Sequence, residues 1–408
     1  MDGLTVLTNI ALILLLGLLC TLLAKKMRIS NMLLLVLMGI LLKFLALDGN
    51  QLFTFSPDFL IAVSILAIVM IVFDSTSRIK WKEFDEFSVK TLELVGWFTL
   101  VLLVIMSFFA MLLIYGSITL TSLFYAMIFA SIMVATDPSA LFVLMGSVKH
   151  KTIALLELES IINTPLTVIL PFIILDFLTT VGDKDILSSF LYQIMPFLQQ
   201  IIVGIGAGVV IGIVIFKIMR NFYSEQLSPI AFITAALLAY IMSANMGGSG
   251  VLAVATLGLF FGSVYVKQKA ALQEFSYLLS NSLEIMVFVL VGLVVVLPLE
   301  ITFYVKSITL FIVLLLSRVI AVFYTLNKSK FNLKEKMFIS LNMPKGIAMA
   351  VVVFSLSIMN INEINMMLDY LLAILVYSLV LSTFVTKLSK KFITLDIQKE
   401  IEKSTKVV

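Results

Sequence analysis

Charge is what this chain has least of. Only 13% of its 408 residues are Asp, Glu, Lys or Arg, whereas 61% are hydrophobic and the mean hydropathy is +1.16. That imbalance excludes a water-soluble globule and defines an all-α polytopic membrane protein. Histidine occurs once, as His150 between Lys149 and Lys151; it reads either as a solvated loop residue or as a pH sensor, and a histidine-glutamate zinc signature is excluded. Cysteine also occurs once, as Cys20, so an internal disulfide framework and a cysteine-based zinc site are excluded and the redox compartment stays undefined. No Gly-x-Ser-x-Gly nucleophile turn is present, so an intramembrane enzyme is not expected, and no cofactor is implied. The first apolar run starts at Leu4 without a basic region before it, so no cleavable signal peptide is expected. A net charge of +4 gives no reason to expect nucleic-acid binding.

What is present is hydrophobic length. A window of ~19 residues gives thirteen candidate spans, at about 4–24, 31–47, 57–75, 92–115, 120–147, 152–178, 192–216, 228–243, 248–266, 274–298, 301–325, 335–358 and 366–386. An odd count puts the termini on opposite sides. Basic residues decide which, because lysine- and arginine-rich connections stay cytoplasmic. Lys25, Lys26, Arg28, Arg78, Lys80, Lys82, Lys90, Lys149, Lys151, Lys217, Arg220, Lys267, Lys269, Lys328, Lys330, Lys334 and Lys336 all fall on one side, with the tail lysines. Lys184 and Lys306 alone fall on the other. The expected orientation is therefore N-terminus outside and C-terminus cytoplasmic. Residues 1–386 form a single transmembrane domain, followed by a short basic cytoplasmic tail at 387–408 that suits anionic lipid headgroups.

Polar clusters interrupt this apolar background in two places, Thr136-Asp137-Pro138 and Glu159-Ser160 followed by Asn163-Thr164-Pro165. Ionisable groups inside a span are costly and therefore mark function. Two six-helix units joined by one linking helix would place corresponding spans seven apart and inverted, which pairs span five with span twelve. Both carry a proline break, at Pro138 and at Pro344 in Asn342-Met343-Pro344-Lys345-Gly346. Proline removes a backbone donor and clashes with the preceding turn, so both spans are expected to unwind at mid-membrane as crossed, discontinuous helices. Such helices bring positive N-terminal and negative C-terminal ends together; Asp137 and Lys345 have the signs to neutralise one pair each. Direct ion binding by either residue stays open beside that structural role. Ser160, Asn163, Thr164 and Thr167 recur at helical spacing and share one face. That stripe reads either as a polar path or as groups satisfying the backbone near Pro165 and Pro171.

These residues resemble the monovalent cation/proton antiporters, most closely their NhaP-type branch. The resemblance rests on Thr136-Asp137-Pro138, Glu159-Ser160-Ile161-Ile162-Asn163, Gly248-Ser249-Gly250-Val251-Leu252-Ala253-Val254 with Gly258, Phe288-Val289-Leu290-Val291-Gly292-Leu293, and Pro344-Lys345-Gly346, in order across nearly the whole chain. It implies a homodimeric prokaryotic plasma-membrane carrier that exchanges Na+ or Li+, with K+ open, for protons by alternating access. Its ion-moving bundle would cover about 92–178 and 301–386, its dimer-forming platform about 1–75 and 228–298, and its linking helix about 192–216. In similar proteins the ion site lies beside the crossed helices. Carried over, Thr136 would offer its backbone oxygen and Ser160 its hydroxyl, with Glu159 and Asn163 in support and Arg318 paired to Glu159.

The departure comes at position 164, where the NhaP-type pattern has the aspartate that alternately holds proton and cation. Threonine coordinates sodium but exchanges no proton at biological pH. Exchange then requires another acid, with Asp137 the first candidate and Glu159 the second. Asp176 is too far along the helix to substitute, and Glu284 reads either as a cavity group or as a platform contact. The alternatives are a non-coupled or differently coupled, channel-like homologue, or a regulatory homologue without transport.

Overall fold

The computed structural model describes residues 3–27, 29–44, 46–47, 50–51, 53, 55–78, 86–137, 151–181, 186–221, 227–263, 268–294, 298, 300–329, 331–357, 359 and 361–392. Pro138, Ser139, Lys149, His150, Lys184 and the tail from 393 lie outside them, as does the side chain of Asp176.

Helices dominate. In chain order they are α1 (Gly3–Met27), α2 (Asn31–Lys43), α3 (Pro57–Ser77), α4 (Glu86–Val101), α5 (Leu120–Ile132), α6 (Lys151–Val181), α7 (Ile186–Asn221), α8 (Leu227–Asn245), α9 (Gly250–Ser263), α10 (Lys269–Val294), α11 (Ile301–Thr325), α12 (Leu333–Leu341), α13 (Ile347–Ser357), α14 (Asn362–Lys387) and the short α15 (Ser389–Phe392). α4 continues to Tyr115 through π-helical turns at Leu102–Met106 and Met111–Tyr115, and Gly116 ends it in the left-handed conformation at φ 63°. Among the described residues nine helices are long and apolar enough to cross a membrane, and Asn31–Lys43, Leu120–Ile132, Gly250–Ser263 and Ala348–Ser357 are shorter apolar helices.

Local chemistry sets the starts. Pro57 occupies the first turn of α3 while Ser56 accepts from Phe59 N–H at 3.4 Å. Thr119 accepts from Ser122 N–H at 3.1 Å to begin α5. A capping box starts α12: Asn332 Oδ1 accepts from Glu335 N–H at 2.8 Å and Glu335 accepts from Asn332 N–H at 2.7 Å. Glu335 also pairs with Lys151 at 3.0 Å, which ties the start of α12 to the start of α6.

Three expectations are corrected. The span at 31–47 ends as a helix at Lys43, and an antiparallel ladder of two residues per strand, β1 (Ala46–Leu47) and β2 (Asn50–Gln51), follows, so the fold is helical apart from this ladder. The seventh helix starts at Ile186, six residues before the expected 192. The interruption of span five begins before Pro138, because α5 has already ended at Ile132.

The helices pack as two groups. α1, α2, α3, α7, α8, α9 and α10 form one connected group and α4, α5, α6, α11, α12, α13 and α14 the other; across the boundary α6 packs on α3, α7 and α9, α13 on α3 and α10, and α14 on α2. Within the first group α2 lies backbone to backbone on α10, where a Cβ on Gly39 would strike Gly292 Cα at 2.7 Å. α11 shows how the surrounding medium sorts side chains. Val305, Ile308, Ile312, Leu316 and Ile320 form an exposed apolar stripe, while Ser307, Leu310, Leu314, Ser317, Arg318 and Ala321 are buried on the opposite face. A bilayer inverts the usual sorting, so apolar side chains face out and the polar ones face the protein.

Candidate functional site

Two unwound segments meet at the centre of the second group. Past α5 the chain runs through Met133, Val134, Ala135, Thr136 and Asp137 without regular structure, and residues 342–346 separate α12 from α13. Pro344 lacks the N–H a helix would need there, and the residue before a proline is pushed toward extended geometry. The segments are bonded to each other, since Asp137 N–H donates to Pro344 O at 2.9 Å. Gly346 makes the approach feasible. A Cβ at that position would collide with the side chain of Asp137.

Unwinding frees carbonyls that hydrocarbon cannot satisfy. The structure supplies a side-chain donor for each of three in succession. Lys345 Nζ donates to Met133 O and, at 2.8 Å, to Ala135 O. Asn163 Nδ2 donates to Val134 O at 3.3 Å and to Thr136 Oγ1 at 2.6 Å. Lys345 is fully buried, and its positive charge sits at the C-terminal end of α5, where the helix dipole is negative. Its backbone N–H donates to Ser378 Oγ at 3.0 Å, and Ser382 Oγ donates to Asn342 Oδ1 at 2.6 Å, so α14 holds the second break in place.

Beside the crossing lies an ion pair. Arg318 donates from both terminal nitrogens to the two carboxylate oxygens of Glu159 at 2.6 Å each, and both side chains are 0% exposed. Phe98 underlies this pair and the lysine together: the Arg318 guanidinium carbon stands 4.7 Å from its ring centroid and Lys345 Nζ 5.8 Å. Nothing in the sequence singled out Phe98, one aromatic among 32 phenylalanines. Ser378 and Ser382 were also missed, although their spacing of four in an apolar helix was a usable signal.

The remaining expected site residues are on α6. Thr164 Oγ1 donates to Ser160 O at 2.7 Å, so its hydroxyl proton is bonded to its own helix. Thr136, Asn163 and Thr164 are buried, whereas Asp137 and Ser160 are partly exposed. Asn163 Oδ1 and Thr167 Oγ1, one helical turn apart, are buried and have no hydrogen-bond partner among the described residues. The structure therefore brings Thr136, Asp137, Asn163 and Lys345 together at the crossing, with Glu159 and Arg318 alongside.

A cavity of about 610 Å³ lies between the helix groups, lined by Ser64, Ile68, Val168, Gln200, Tyr240 and Ser355 among others. Ser64 and Ser355 share a hydroxyl hydrogen bond across it. A much smaller pocket bounded by Ile68, Ile71, Val72, Val168, Ala348, Val351 and Thr164 continues it toward the crossing. Ile68 and Val168 line both spaces.

Comparison with known proteins places this arrangement. The solved structure of the sodium proton antiporter MjNhaP1 from Methanocaldococcus jannaschii at pH 8 superposes with a TM-score of 0.77 over 96% of this chain and 99% of that one, at 19% identity, which establishes a shared fold. In sequence, the Na(+)/H(+) antiporter 1 of Methanocaldococcus jannaschii is 25% identical over 57% of this chain and 56% of its own length. The K(+)/H(+) antiporter NhaP2 of Shewanella sp. (strain MR-4) is 30% identical over 32% of this chain and 22% of its own length. The low-affinity Na(+)/H(+) antiporter NhaS1 of Synechocystis sp. is 28% identical over 58% of this chain and 42% of its own length. The chain thus matches between about a fifth and just over half of these relatives. A profile described as sodium/hydrogen exchanger, transmembrane, matches residues 10–391. This multi-pass membrane protein belongs to the sodium/hydrogen exchanger family, a family of transporters and not of enzymes.

Proposed function

We propose that this protein is a secondary active transporter that exchanges a monovalent cation, Na+ or Li+ with K+ open, for protons by alternating access. The observation that carries the reading is the crossing itself. Unwound helices at mid-membrane occur where they line a substrate site, because each break costs backbone hydrogen bonds that must be replaced. Here Lys345 and Asn163 replace them, which leaves Asp137 as a partly exposed carboxylate at the crossing. Asp137, with Thr136, Ser160, Asn163 and Thr164 around it, is the cation and proton site in this reading. Glu159 and Arg318 hold the bundle together and Lys345 neutralises the α5 end.

The same reading takes the molecule as thirteen spans in two inverted repeats, with α4–α6 and α11–α14 moving against a dimer-forming platform in a prokaryotic plasma membrane, N-terminus outside. The distribution of basic residues supports that orientation. On it, the 610 Å³ cavity opens outward. Sodium-, lithium- or potassium-driven pH change in proteoliposomes tests the exchange. Absence of a response to every alkali cation, from mildly acidic to mildly alkaline pH, would sink it.

One observation favours a second reading, cation movement without proton coupling. Position 164 holds a hydroxyl bonded to Ser160 O and no acid. Thr164→Asp discriminates: a variant that gains proton coupling where the parent only conducts supports this reading, whereas coupling already present in the parent rejects it.

A further inference from the structure

We infer that Glu284 is the carboxylate ligand that position 164 lacks, so that the transported cation binds between Glu284 of α10 and Asp137 at the α5 break. This rests on the cation-binding reading of the crossing and adds a residue from the opposite helix group.

Glu284 is half-buried within the apolar α10, whose neighbouring residues Leu283 and Val287 are core. α10 packs on α13, the half-helix whose first turn follows Gly346, and Gly346 is the residue that makes room for Asp137. The two carboxylates are within electrostatic range of each other. Among the described residues no basic side chain or hydrogen-bond donor reaches Glu284. Asp137 is partly exposed and Glu284 half-buried, and two carboxylates that repel each other inside a membrane-spanning bundle are not both stable as anions unless a positive charge joins them. A second, independent feature points the same way. Asn163 Oδ1, 1% exposed, accepts no hydrogen bond from any described residue, although the nitrogen of the same amide donates to Thr136, the residue before Asp137. A neutral acceptor one residue from Asp137 suits a bare cation, which needs several oxygens to replace its hydration shell.

Counting charge sets the valence. Ionised, Glu159, Asp137 and Glu284 carry three negative charges against the two positive charges of Arg318 and Lys345, so the region is one negative charge in excess, which one monovalent cation neutralises. The location gives the residue a mechanical meaning as well. Asp137 belongs to one helix group and Glu284 to the other, so a cation held by both would be released when the groups separate.

The test is equilibrium binding of thallium(I), displaced by sodium or lithium, to the purified full-length chain in detergent, run in parallel with the proteoliposome assay. Glu284→Gln is expected to weaken cation binding by about tenfold or more, the loss of one charge-assisted ligand, and Thr164→Asp in the Glu284→Gln background is expected to restore it. If Glu284→Gln elutes as aggregate, Glu284→Asp replaces it and is expected to change the lithium-to-sodium preference. Binding by Glu284→Gln within about twofold of the parent, or an unchanged preference in Glu284→Asp, overturns the assignment. A parent that exchanges cations while Glu284→Gln binds and exchanges normally leaves the transport reading standing and removes Glu284 from it. A parent that binds thallium through Glu284 but moves no protons does the reverse.

Discussion

Removing either partner of the Glu159–Arg318 pair should be among the most damaging single changes available in this protein. The pair is bidentate at 2.6 Å and both side chains are 0% exposed, so neither charge recovers hydration when its partner is lost. Breaking a buried pair costs about 3–5 kcal/mol, whereas replacing both members by apolar residues of similar volume is often close to neutral. Glu159→Leu and Arg318→Met should each lose about 3–5 kcal/mol, and the two together should return to within about 1–2 kcal/mol of the parent, a non-additivity of several kcal/mol in the double-mutant cycle. Cys20 provides the assay. It is the sole cysteine and is 4% exposed, so a thiol-reactive fluorophore reports unfolding at one defined position along an SDS titration. Additive losses, or single losses below about 1 kcal/mol, would refute the claim that the two charges depend on each other.

Lys345→Met should leave the Met133 and Ala135 carbonyls without donors at a cost of about 1–3 kcal/mol each, read by the same thiol assay; an unchanged midpoint would show that other groups serve those carbonyls. Gly346→Ala should separate the two unwound segments, since its Cβ collides with Asp137, and abolish cation-driven pH change in vesicles more completely than it lowers stability. Asn163→Leu removes the donor to Val134 and Thr136 and should destabilise by about 1–3 kcal/mol, and Asn163→Asp, whose ionised carboxylate only accepts and would face the Val134 carbonyl, should lose at least as much. Gly39→Leu should block the contact between α2 and α10 and prevent recovery of a monodisperse protein, because the opposing surface is Gly292 backbone.

Much of the fold is legible in composition and periodicity because a bilayer imposes strong rules. A run such as 301–325 has to be a helix whatever its neighbours do, and α11 occupies those residues. The breaks at Asp137 and Pro344 are visible because proline and charge are rare in such runs. Their inner boundaries are not: α5 stops at Ile132 without a breaker residue, because Lys345 and Asn163 offer better partners to carbonyls 133–135 than the helix would. Those partners are remote in sequence, and no local pattern announces them. Glu159 and Arg318 stand out as isolated charges, but the ring of Phe98 near both Arg318 and Lys345 does not, since one phenylalanine in an apolar helix looks like the next. Thr164 is the instructive case. The residue type removes an acid from the expected position, yet only the contacts reveal that its hydroxyl is bonded to its own backbone.

The donor to Met133 O lies 212 residues further along the chain, and the donor to Ala135 O 210. At translation rates of about 5–20 residues per second, roughly 10–40 s pass between synthesis of the two ends. Throughout that interval the first half of the crossing is in the membrane with carbonyls that have no lysine. It must be sheltered by the insertion machinery or by a provisional packing until residue 345 arrives. A ribosome stalled before α13 would therefore leave a recognisable lesion at mid-membrane, and membrane quality control would meet this protein first at the end of α5.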